Sequence, residues 1–328
     1  MIEATHLCKY FKVALPGKGL SGKIKSFFSP NFKIIKAVDD INYTIHPGEI
    51  VGYLGRNGAG KSTTIKLLTG VLVPSSGSVK VNGIVPSRNR RENAYHIGVV
   101  YGQRSQLWWD LPLIDSFETL RAMYRVPVNR YKTNLDFFID LLQMQDFINQ
   151  PVRKLSLGQR MKGDLVASLL HEPQVLYLDE PTIGLDVISK NRILEFLRDL
   201  NTQKGTTILL TTHNLSDVEK VCPRIMIIDQ GHIILDATQT EILNRFGKQK
   251  TLVIDFEHKV SKLNLPAGKI VKEEGNKLWI EFDREHISAF DLIISLKGQE
   301  GIQDISILEE NIESIVTQIY EDGIGAPL

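Results

Sequence analysis

Cysteine is scarce in this sequence, since Cys8 and Cys222 are the only two among 328 residues. They stand far apart and lack the spacing of metal ligands, which argues against a disulfide framework and against a cysteine zinc site. Such a pair fits a reducing compartment. We expect both thiols to be packing residues.

An excess of charge of either sign is also missing. Thirty-nine Lys and Arg residues are balanced by 38 Asp and Glu residues, which leaves a formal net charge of +1. No global electrostatic field therefore draws the chain to nucleic acid or to anionic lipid. We expect no nucleic-acid partner, and any charged partner must be bound locally.

Long apolar runs are absent as well. No stretch approaches the roughly 18 apolar residues of a membrane span, and residues 1–11 lack the apolar core of a signal peptide. With 42% hydrophobic and 23% charged residues, the chain can still bury a sizeable core. The sequence thus predicts a cytoplasmic protein of two domains, or of one large domain with an appendage.

The pattern from Gly48 onward alternates β-rich and helical runs, which is typical of an α/β domain with a largely parallel sheet. Between about 111 and 170 it is mostly helical, which predicts a lobe inserted between two strands. The last 90 or so residues carry no chemical motif, and we interpret 239–328 as an α+β accessory domain beside a main domain of 1–238. Strands are predicted at 97–101, 175–178, 206–211, 225–228, 251–256 and 277–282, and helices at 287–296 and 311–320.

Residues 14–36 interrupt the start of the main domain. Three glycines and two prolines rule out a long helix there, and we predict an inserted loop. Five lysines, together with Phe27, Phe28 and Phe32, make it basic and apolar at once. Two interpretations stay open, a solvated loop whose rings pack on the domain and a contact with a membrane protein or lipid headgroups.

A glycine-rich loop follows a short apolar strand and opens a helix, with the pattern Gly55-x-x-x-x-Gly60-Lys61-Ser62. Small residues there let successive backbone N–H groups form a concave nest for a phosphate, and the helix N-terminus adds its positive dipole end. Lys61 would reach the β- and γ-phosphates. The Ser62 hydroxyl is placed to bind Mg²⁺, which prefers oxygen ligands.

A second motif ends an apolar strand at 175–178 with two carboxylates, Asp179 and Glu180. Open α/β sheets bind their ligands at this carboxyl edge, so the pair is expected beside the glycine-rich loop. Asp179 would bind Mg²⁺ directly or through water, and Glu180 would polarise the attacking water as a general base. The alternative, an acidic pair that only caps a turn, loses weight beside a phosphate loop.

Between these motifs lies Leu155-Ser156-Leu157-Gly158-Gln159, and with it the sequence resembles the ATP-binding-cassette family, whose signature is Leu-Ser-Gly-Gly-Gln. Further motifs follow in the family's order over about 1–238. Gln103 is similar to its Q-loop glutamine, residues 183–186 to its D-loop with Asp186, and His213 to its switch histidine. Leu157 replaces the family's usual glycine, which puts the nucleotide contact at that position in doubt.

The resemblance implies a P-loop NTPase fold: a mostly parallel sheet, an antiparallel β subdomain and an inserted helical subdomain. It also implies ATP and Mg²⁺ as cofactors, with Ser62, Gln103 and Asp179 at the metal and Glu180, His213, Gln103 and Lys61 in catalysis. The signature residues Ser156, Leu157, Gly158 and Gln159 would contact ATP held by a second copy of the chain. The residues implied in ATP binding are Gly55, Arg56, Asn57, Gly58, Ala59, Gly60, Lys61, Ser62, Thr63 and Phe11.

Aromatic residues at two places have open interpretations. In the family a ring near the N-terminus stacks on adenine, and Phe11 matches that position better than Tyr10, although core packing of either ring remains an alternative. Trp108 and Trp109 follow the Q-loop glutamine. They are either core residues or walls of a groove that accepts a partner's helix.

The resemblance further implies a transporter subunit that lies on the cytoplasmic face of the membrane, beside a separate integral-membrane permease. ATP would close a homodimer of the chain and hydrolysis would loosen it. The motifs around Gln103 and Leu157 most resemble the exporter branch linked to efflux of drugs or lipophilic compounds. The alternative is an ATPase of the same family that acts on ribosomes or DNA, and a single phosphate loop disfavours it.

Overall fold

The computed structural model describes residues 1–14, 32–102, 104–212, 214–247, 249–258, 265, 267–297, 299–309 and 312–322. The chain forms two compact units, Met1–Asp236 and Ala237–Leu328. This division lies two residues before the predicted boundary after residue 238. The roles of the two units as an ATP-binding domain and an accessory domain stay predictions.

The strands of the first unit form two sheets. Their bounds are β1 Ile2–Ala14, β2 Phe32–Ile45, β3 Ile50–Leu54, β4 Ser76–Val81, β5 Ile97–Tyr101, β6 Val175–Asp179, β7 Thr207–Thr212, β8 Arg224–Asp229 and β9 His232–Thr238. The four strands predicted between 97 and 228 are confirmed, with ends that differ by one residue or less.

The larger sheet has six strands in the order β5-β6-β7-β3-β8-β9. Four adjacent pairs are parallel, β5 with β6, β6 with β7, β7 with β3 and β3 with β8. The central strands β3 and β7 are buried along their whole length. Their sequences carry no charged residue, and the apolar runs Ile50–Leu54 and 208–210 fit burial on both faces of a parallel sheet. The predicted mostly parallel sheet is confirmed.

The smaller sheet is antiparallel, in the order β2-β1-β4. It corrects the prediction of a loop at 14–36, because the described ends of that stretch are strand: Ala14 pairs with Phe32, and Tyr10 pairs with Lys36. Apolar and β-branched residues at both ends of the stretch favour a strand. The glycines and prolines at 16–30 lie between these ends in the sequence and therefore do not interrupt the pairing. Phe27 and Phe28 lie outside the described residues.

Helices cover the larger sheet and build a lobe between β5 and β6. In the first unit they are α1 Lys61–Leu68, α2 Arg90–His96, α3 Leu113–Tyr124, α4 Val128–Leu142, α5 Leu157–Leu169, α6 Val187–Lys204 and α7 Leu215–Val221. The lobe consists of α3, α4, a 3-10 turn and the start of α5, so the stretch 111–170 is helical as predicted. Pro112 and Pro127 precede α3 and α4 at positions where no backbone N–H is needed.

The second unit is an α+β structure with elements α8 Gln239–Phe246, β10 Gln249–Phe256, β11 Lys269–Glu274, β12 Lys277–Asp283, α9 Ala289–Ser295, β13 Ile302–Glu309 and α10 Ile312–Asp322. Its four strands form an antiparallel sheet in the order β11-β12-β10-β13. Alternate residues of β10 and β12 pack with Leu292 and Leu296 in one core. The predicted strands and helices are confirmed, whereas α8, β11 and β13 were not predicted.

Among the helices that the structure describes, none combines the length and the apolar character that a bilayer span needs.

Candidate active site

The glycine-rich loop connects the buried strand β3 to α1 at the carboxyl edge of the larger sheet. Gly60 has φ of 120°, and a Cβ there would lie 2.4 Å from the carbonyl oxygen of Ala37 in β2. Gly58 also has a positive φ, 85°, but a Cβ there would meet nothing within 4 Å. Glycine is thus needed at 60 for both conformation and space, and at 58 for conformation alone.

The N-terminus of α1 is built to receive an anion. Its first cap residue is Gly60, which supplies no side-chain acceptor to the first turn. Arg56, Asn57 and Gly58 are exposed, and so is the Ser62 side chain. Backbone N–H groups at a helix start carry partial positive charge and need acceptors. The loop therefore fits the phosphates of a nucleotide, and the predicted phosphate-binding residues lie together.

Lys61 lies inside this loop, with a side chain that is only 6% exposed. Its Nζ donates hydrogen bonds to the carbonyl oxygens of Gly55 at 2.5 Å and of Arg56 at 3.3 Å. The Nζ also lies 4.0 Å from Glu180 Oε1. Burial lowers the pKa of Lys61, while the carboxylates of Glu180 and Asp179 act in the opposite direction. The ammonium group is thus held where the phosphates would enter.

The two predicted carboxylates stand at the end of β6. The hydroxyl of Thr211 donates a hydrogen bond of 2.7 Å to Asp179 Oδ1, and the Glu180 N–H donates one of 3.0 Å to the Thr211 carbonyl. Glu180 adopts φ of 55°, a left-handed conformation that is uncommon for residues other than glycine. Such strain is found at functional sites, where the surrounding structure enforces it. Thr211 was not predicted as a site residue, although it lies one residue before the end of β7, the strand next to β6.

The signature residues begin α5, where Ser156 is the cap residue. Its hydroxyl oxygen accepts the Gln159 N–H at 3.2 Å, and its own N–H donates to Gln159 Oε1 at 2.9 Å. These two hydrogen bonds form a capping box, which fixes the start of the helix. Leu157 is 37% exposed. The cap uses the hydroxyl oxygen only as an acceptor, which leaves its O–H able to donate, and the expected contact of Ser156 with a phosphate stays a prediction.

Asp186 begins α6 in the same way. Its carboxylate accepts the N–H groups of Ile188 and Ser189 and the Ser189 hydroxyl, and these bonds, led by that of the hydroxyl, lower its pKa. The two helix starts are close neighbours. A Cβ on Gly158 would lie 2.8 Å from Ser189 Oγ, and one on Gly184 would lie 3.1 Å from Leu157 Cδ2. The signature and the D-loop thus form one surface.

A buried ion pair lies next to the D-loop. Asp217 on α7 is 1% exposed, accepts the Thr182 hydroxyl at 2.7 Å and pairs with Lys190 of α6 at 2.5 Å. These residues line a cavity of about 200 Å³ that also borders Glu180. A larger cavity of about 560 Å³ lies at the opposite edge of the sheet, near Gln174. The smaller cavity lies beside Glu180, the predicted general base. The ion pair between Asp217 and Lys190 that lines it was not predicted from the sequence.

Tyr10 and Phe11, the two candidates for stacking on adenine, have different contacts. The Tyr10 hydroxyl donates a hydrogen bond of 2.6 Å to Asp39 Oδ1, which raises the Tyr10 pKa and holds the ring. Asp39 in turn connects to the loop, since its N–H donates to Gly231 O and the Gly231 N–H donates to Ala59 O. Phe11 is half-buried, with Lys9 Nζ 5.4 Å from its ring centroid. Stacking of Phe11 on adenine stays a prediction.

Three predicted features lie outside the described residues. They are Gln103, His213 and residues 15–31 of the insert. Their neighbours are described: the Gly102 N–H donates 2.8 Å to the Asp179 carbonyl, and the Asn214 N–H donates 3.0 Å to the Thr212 hydroxyl. Both segments therefore start beside the carboxylate pair. The assignments of Gln103 and His213 stay predictions.

The pair Trp108 and Trp109 is on the surface. Their side chains are 38% and 52% exposed, and the nearby Leu111 is 39% exposed. The interpretation of the two tryptophans as core residues is wrong, because the helical lobe turns them outward. Large apolar side chains gathered on a surface indicate a place where a partner binds.

Asp164 is a buried carboxylate that sequence reasoning missed. It lies on α5, is 5% exposed, and accepts the Ser105 hydroxyl at 2.9 Å and the Gln106 N–H at 3.0 Å. Burial raises its pKa to about 6, against the lowering effect of these two bonds and of Arg160. An aspartate has an ordinary pKa of about 3.9. The folded protein thus binds this proton more tightly than the unfolded chain does.

This shift gives Asp164→Asn an expected effect on stability that depends on pH. Because the folded pKa is raised, wild-type stability falls as pH rises from about 4 to about 6, by about 3 kcal/mol in all. Asparagine keeps the acceptor oxygen and carries no charge, so the variant should gain more at pH 7.5 than at pH 5, by about 1–2 kcal/mol. Thermal unfolding at both pH values measures this. Asp136→Asn on the exposed face of α4 controls for the lost charge, and an equal gain at both pH values would contradict the prediction.

Residues 38–183 match the sequence model of the family described as ABC transporter. The chain is 32% identical over 207 residues to the ABC transporter ATP-binding protein NatA of Bacillus subtilis (strain 168), which covers 63% of this chain and 84% of NatA. It is also 32% identical over 219 residues to the Daunorubicin resistance ATP-binding protein DrrA3 of Streptomyces coeruleorubidus, covering 67% and 69%.

The fold has a counterpart among solved structures. The ATP-binding cassette MJ0796, in a dimeric post-hydrolysis state with ADP and Pi, superimposes with a TM-score of 0.60 at 23% identity, over 73% of this chain and 98% of that one. The likeness concerns the fold. The match to NatA over 84% of that protein shows that the chain belongs to the ABC transporter family, as an ATP-binding and ATP-hydrolysing subunit.

Proposed function

We propose that this chain powers export through a separate membrane permease, by closing as a homodimer around two ATP molecules and reopening after hydrolysis. The observation that carries the proposal is the exposed surface at the signature and D-loop. Val187 and Ile188, in the first turn of α6, are 72% and 67% exposed beside Asp186. Neighbouring apolar residues of this size favour burial against a second protein surface.

The two halves of each nucleotide site would come from different copies. The phosphate loop with Lys61, Asp179 and Glu180 binds the nucleotide on one copy, and the surface that contains Ser156 covers it from the other. ATP then contributes to the interface itself. Loss of the γ-phosphate would remove the contact that joins the copies.

Within one site, the chemistry of each side chain decides its role. Lys61 would neutralise the phosphates, and Glu180 would accept the proton of the attacking water. Ser62 and Asp179 would hold Mg²⁺, an assignment supported by their oxygen atoms at the mouth of the loop and by the Thr211 bond that orients Asp179. The metal supplies charge neutralisation at the phosphates. Gln103 and His213 are expected to complete the site.

The exposed aromatic pair is the proposed contact with the permease. Trp108, Trp109 and Leu111 follow a segment that begins at Gly102, whose N–H donates to the Asp179 carbonyl, so a partner bound there is joined to the nucleotide site through a short stretch of chain. The subunit would lie on the cytoplasmic face of the membrane. The similarity to DrrA3, whose name refers to daunorubicin resistance, supports export of a lipophilic compound.

Purification from membranes tests the proposal. The tagged full-length chain is expressed in its source cells, and the detergent-solubilised membranes are affinity-purified. We expect a multi-span protein to be recovered in stoichiometric amount. The variant Trp109→Ser should lose it, whereas Met123→Ser, at another exposed apolar residue of the same lobe, should retain it. Recovery of ribosomes or DNA in place of a membrane protein would overturn the proposal.

A further inference from the structure

The segment after Gln103 is attached to the helix that begins with the signature. Ser105 Oγ donates to Asp164 Oδ1 at 2.9 Å, and the Gln106 N–H donates to the same oxygen at 3.0 Å. The Gln106 side chain adds a third bond, from Nε2 to the Asp164 carbonyl at 3.2 Å. The Leu107 N–H donates 3.1 Å to Ser105 Oγ, which completes the turn. Asp164 thus holds two consecutive residues, Ser105 and Gln106, directly, and it holds Leu107 only through the Ser105 hydroxyl.

The setting of Asp164 makes these bonds matter. Its side chain is nearly removed from water, whereas Ser105 and Gln106 are exposed residues, so Asp164 holds the inner side of a segment whose outer side faces solvent. The neighbouring Gly163 brings α5 close to the same segment, because a Cβ there would lie 3.0 Å from Leu107 Cδ1 and 2.9 Å from Leu113 Cδ1. Arg160, one turn earlier on α5, is the charged group that acts on Asp164 among the described residues.

The segment is anchored at its other points as well. At its start the Gly102 N–H donates to the Asp179 carbonyl, and at its end the Trp108 N–H donates 3.2 Å to Ser116 Oγ of α3. The Arg160 guanidinium lies 5.4 Å from the centroid of the Trp109 ring. Gly102 and residues 104–109 thus lie between the end of β6 and the surface of the helical lobe, and Asp164 supplies the side-chain hydrogen bonds that hold Ser105 and Gln106 to α5.

We propose that Asp164 is a positioning residue, which fixes the segment after Gln103 to α5 so that this segment and the signature move as one body. The inference rests on the proposed function, because a common movement of this segment and the signature matters only if the subunit closes and reopens around ATP. Ser156 precedes Asp164 by eight residues on the same helix, a distance of roughly 12 Å along its axis. Asp164 touches neither nucleotide nor water in this scheme, and it acts through Ser105 and Gln106.

Three variants of the full-length chain test the inference. Asp164→Ala removes the acceptor, Asp164→Asn keeps an acceptor oxygen, and Asp136→Ala removes an exposed acid elsewhere in the lobe. We expect Asp164→Ala to lower kcat of ATP hydrolysis roughly tenfold while KM for ATP stays within about twofold, because the phosphate loop is intact. Asp164→Asn and Asp136→Ala should retain kcat within about twofold.

Amide hydrogen exchange gives a readout that does not depend on turnover. The N–H groups of Gln106 and Leu107 should exchange faster in Asp164→Ala than in wild type, and Asp164→Asn should restore their protection. Faster exchange with unchanged kcat would overturn the inference, as would a parallel loss of kcat in Asp164→Asn and Asp164→Ala. A wild-type chain that binds no ATP and hydrolyses none would instead contradict the proposed function, and the exchange data would still report on the attachment.

Discussion

Glu180→Gln is expected to reduce ATP turnover by at least about 100-fold, the range that loss of a general base produces. Glu180 ends β6 with φ of 55°, next to Lys61 and at the mouth of the phosphate loop. Glutamine has the same shape and still accepts hydrogen bonds, but it cannot take a proton from water. ATP should still bind, so the variant should accumulate as an ATP-bound dimer.

Two measurements follow this outcome. Phosphate release reports turnover, and size-exclusion chromatography with ATP and Mg²⁺ reports the dimer. Glu195→Gln, an exposed acid on α6, makes the same chemical change away from the site and should leave both unchanged. Undiminished phosphate release from Glu180→Gln would refute the role assigned to Glu180. A variant that turns over slowly but stays monomeric with ATP would refute the proposed sandwich.

Gly60→Ala is expected to have the largest effect on the nucleotide site among the glycine substitutions in the loop. A Cβ would be forced to 2.4 Å from the Ala37 carbonyl oxygen, at φ of 120°. Backbone at this φ is occupied almost only by glycine, and strain of this kind costs of order 1–3 kcal/mol before the clash is counted. Either β2 or the loop must move, so ATP binding should be lost.

Gly58→Ala is the matched control, since it makes the same substitution two residues earlier. Its Cβ would enter open space, and only the positive φ of 85° opposes it. We expect a loss of stability of about 1 kcal/mol, clearly smaller than that of Gly60→Ala. Thermal unfolding of both variants without nucleotide compares them. Equal melting temperatures would mean that contact with Ala37 does not decide the requirement for glycine.

Much of the site could be predicted because its motifs lie next to secondary-structure elements with strong patterns. The loop from Gly55 to Ser62 follows a buried strand and opens a helix, and Asp179 ends another strand. A parallel sheet places the carboxyl ends of its strands at one edge, so the meeting of Lys61 and Glu180 follows from the pattern alone. The capping of α5 by Ser156 was likewise predictable from local sequence.

The errors have physical reasons too. The loop predicted at 14–36 is strand at both described ends, because Phe32, Ile34 and Ile35 favour a strand and pair with β1, whereas the glycines and prolines that predicted a loop come before them in the sequence. In the second unit, β11 is mostly charged and exposed, so it has none of the alternation by which β10 and β12 were predicted. The exposure of Trp109 depends on how the helical lobe packs, which no local pattern encodes.

The sequence by itself determined the phosphate loop, the carboxylate pair and the signature, since each motif is a run of neighbouring residues whose backbone geometry is set locally. Only the tertiary structure decided which distant side chains support them. Thr211 on Asp179, Asp217 with Lys190, and Asp164 on Ser105 each join residues at least 27 positions apart. Such pairs depend on the packing of whole helices and strands, and a buried carboxylate reveals its role only when its donors are in place.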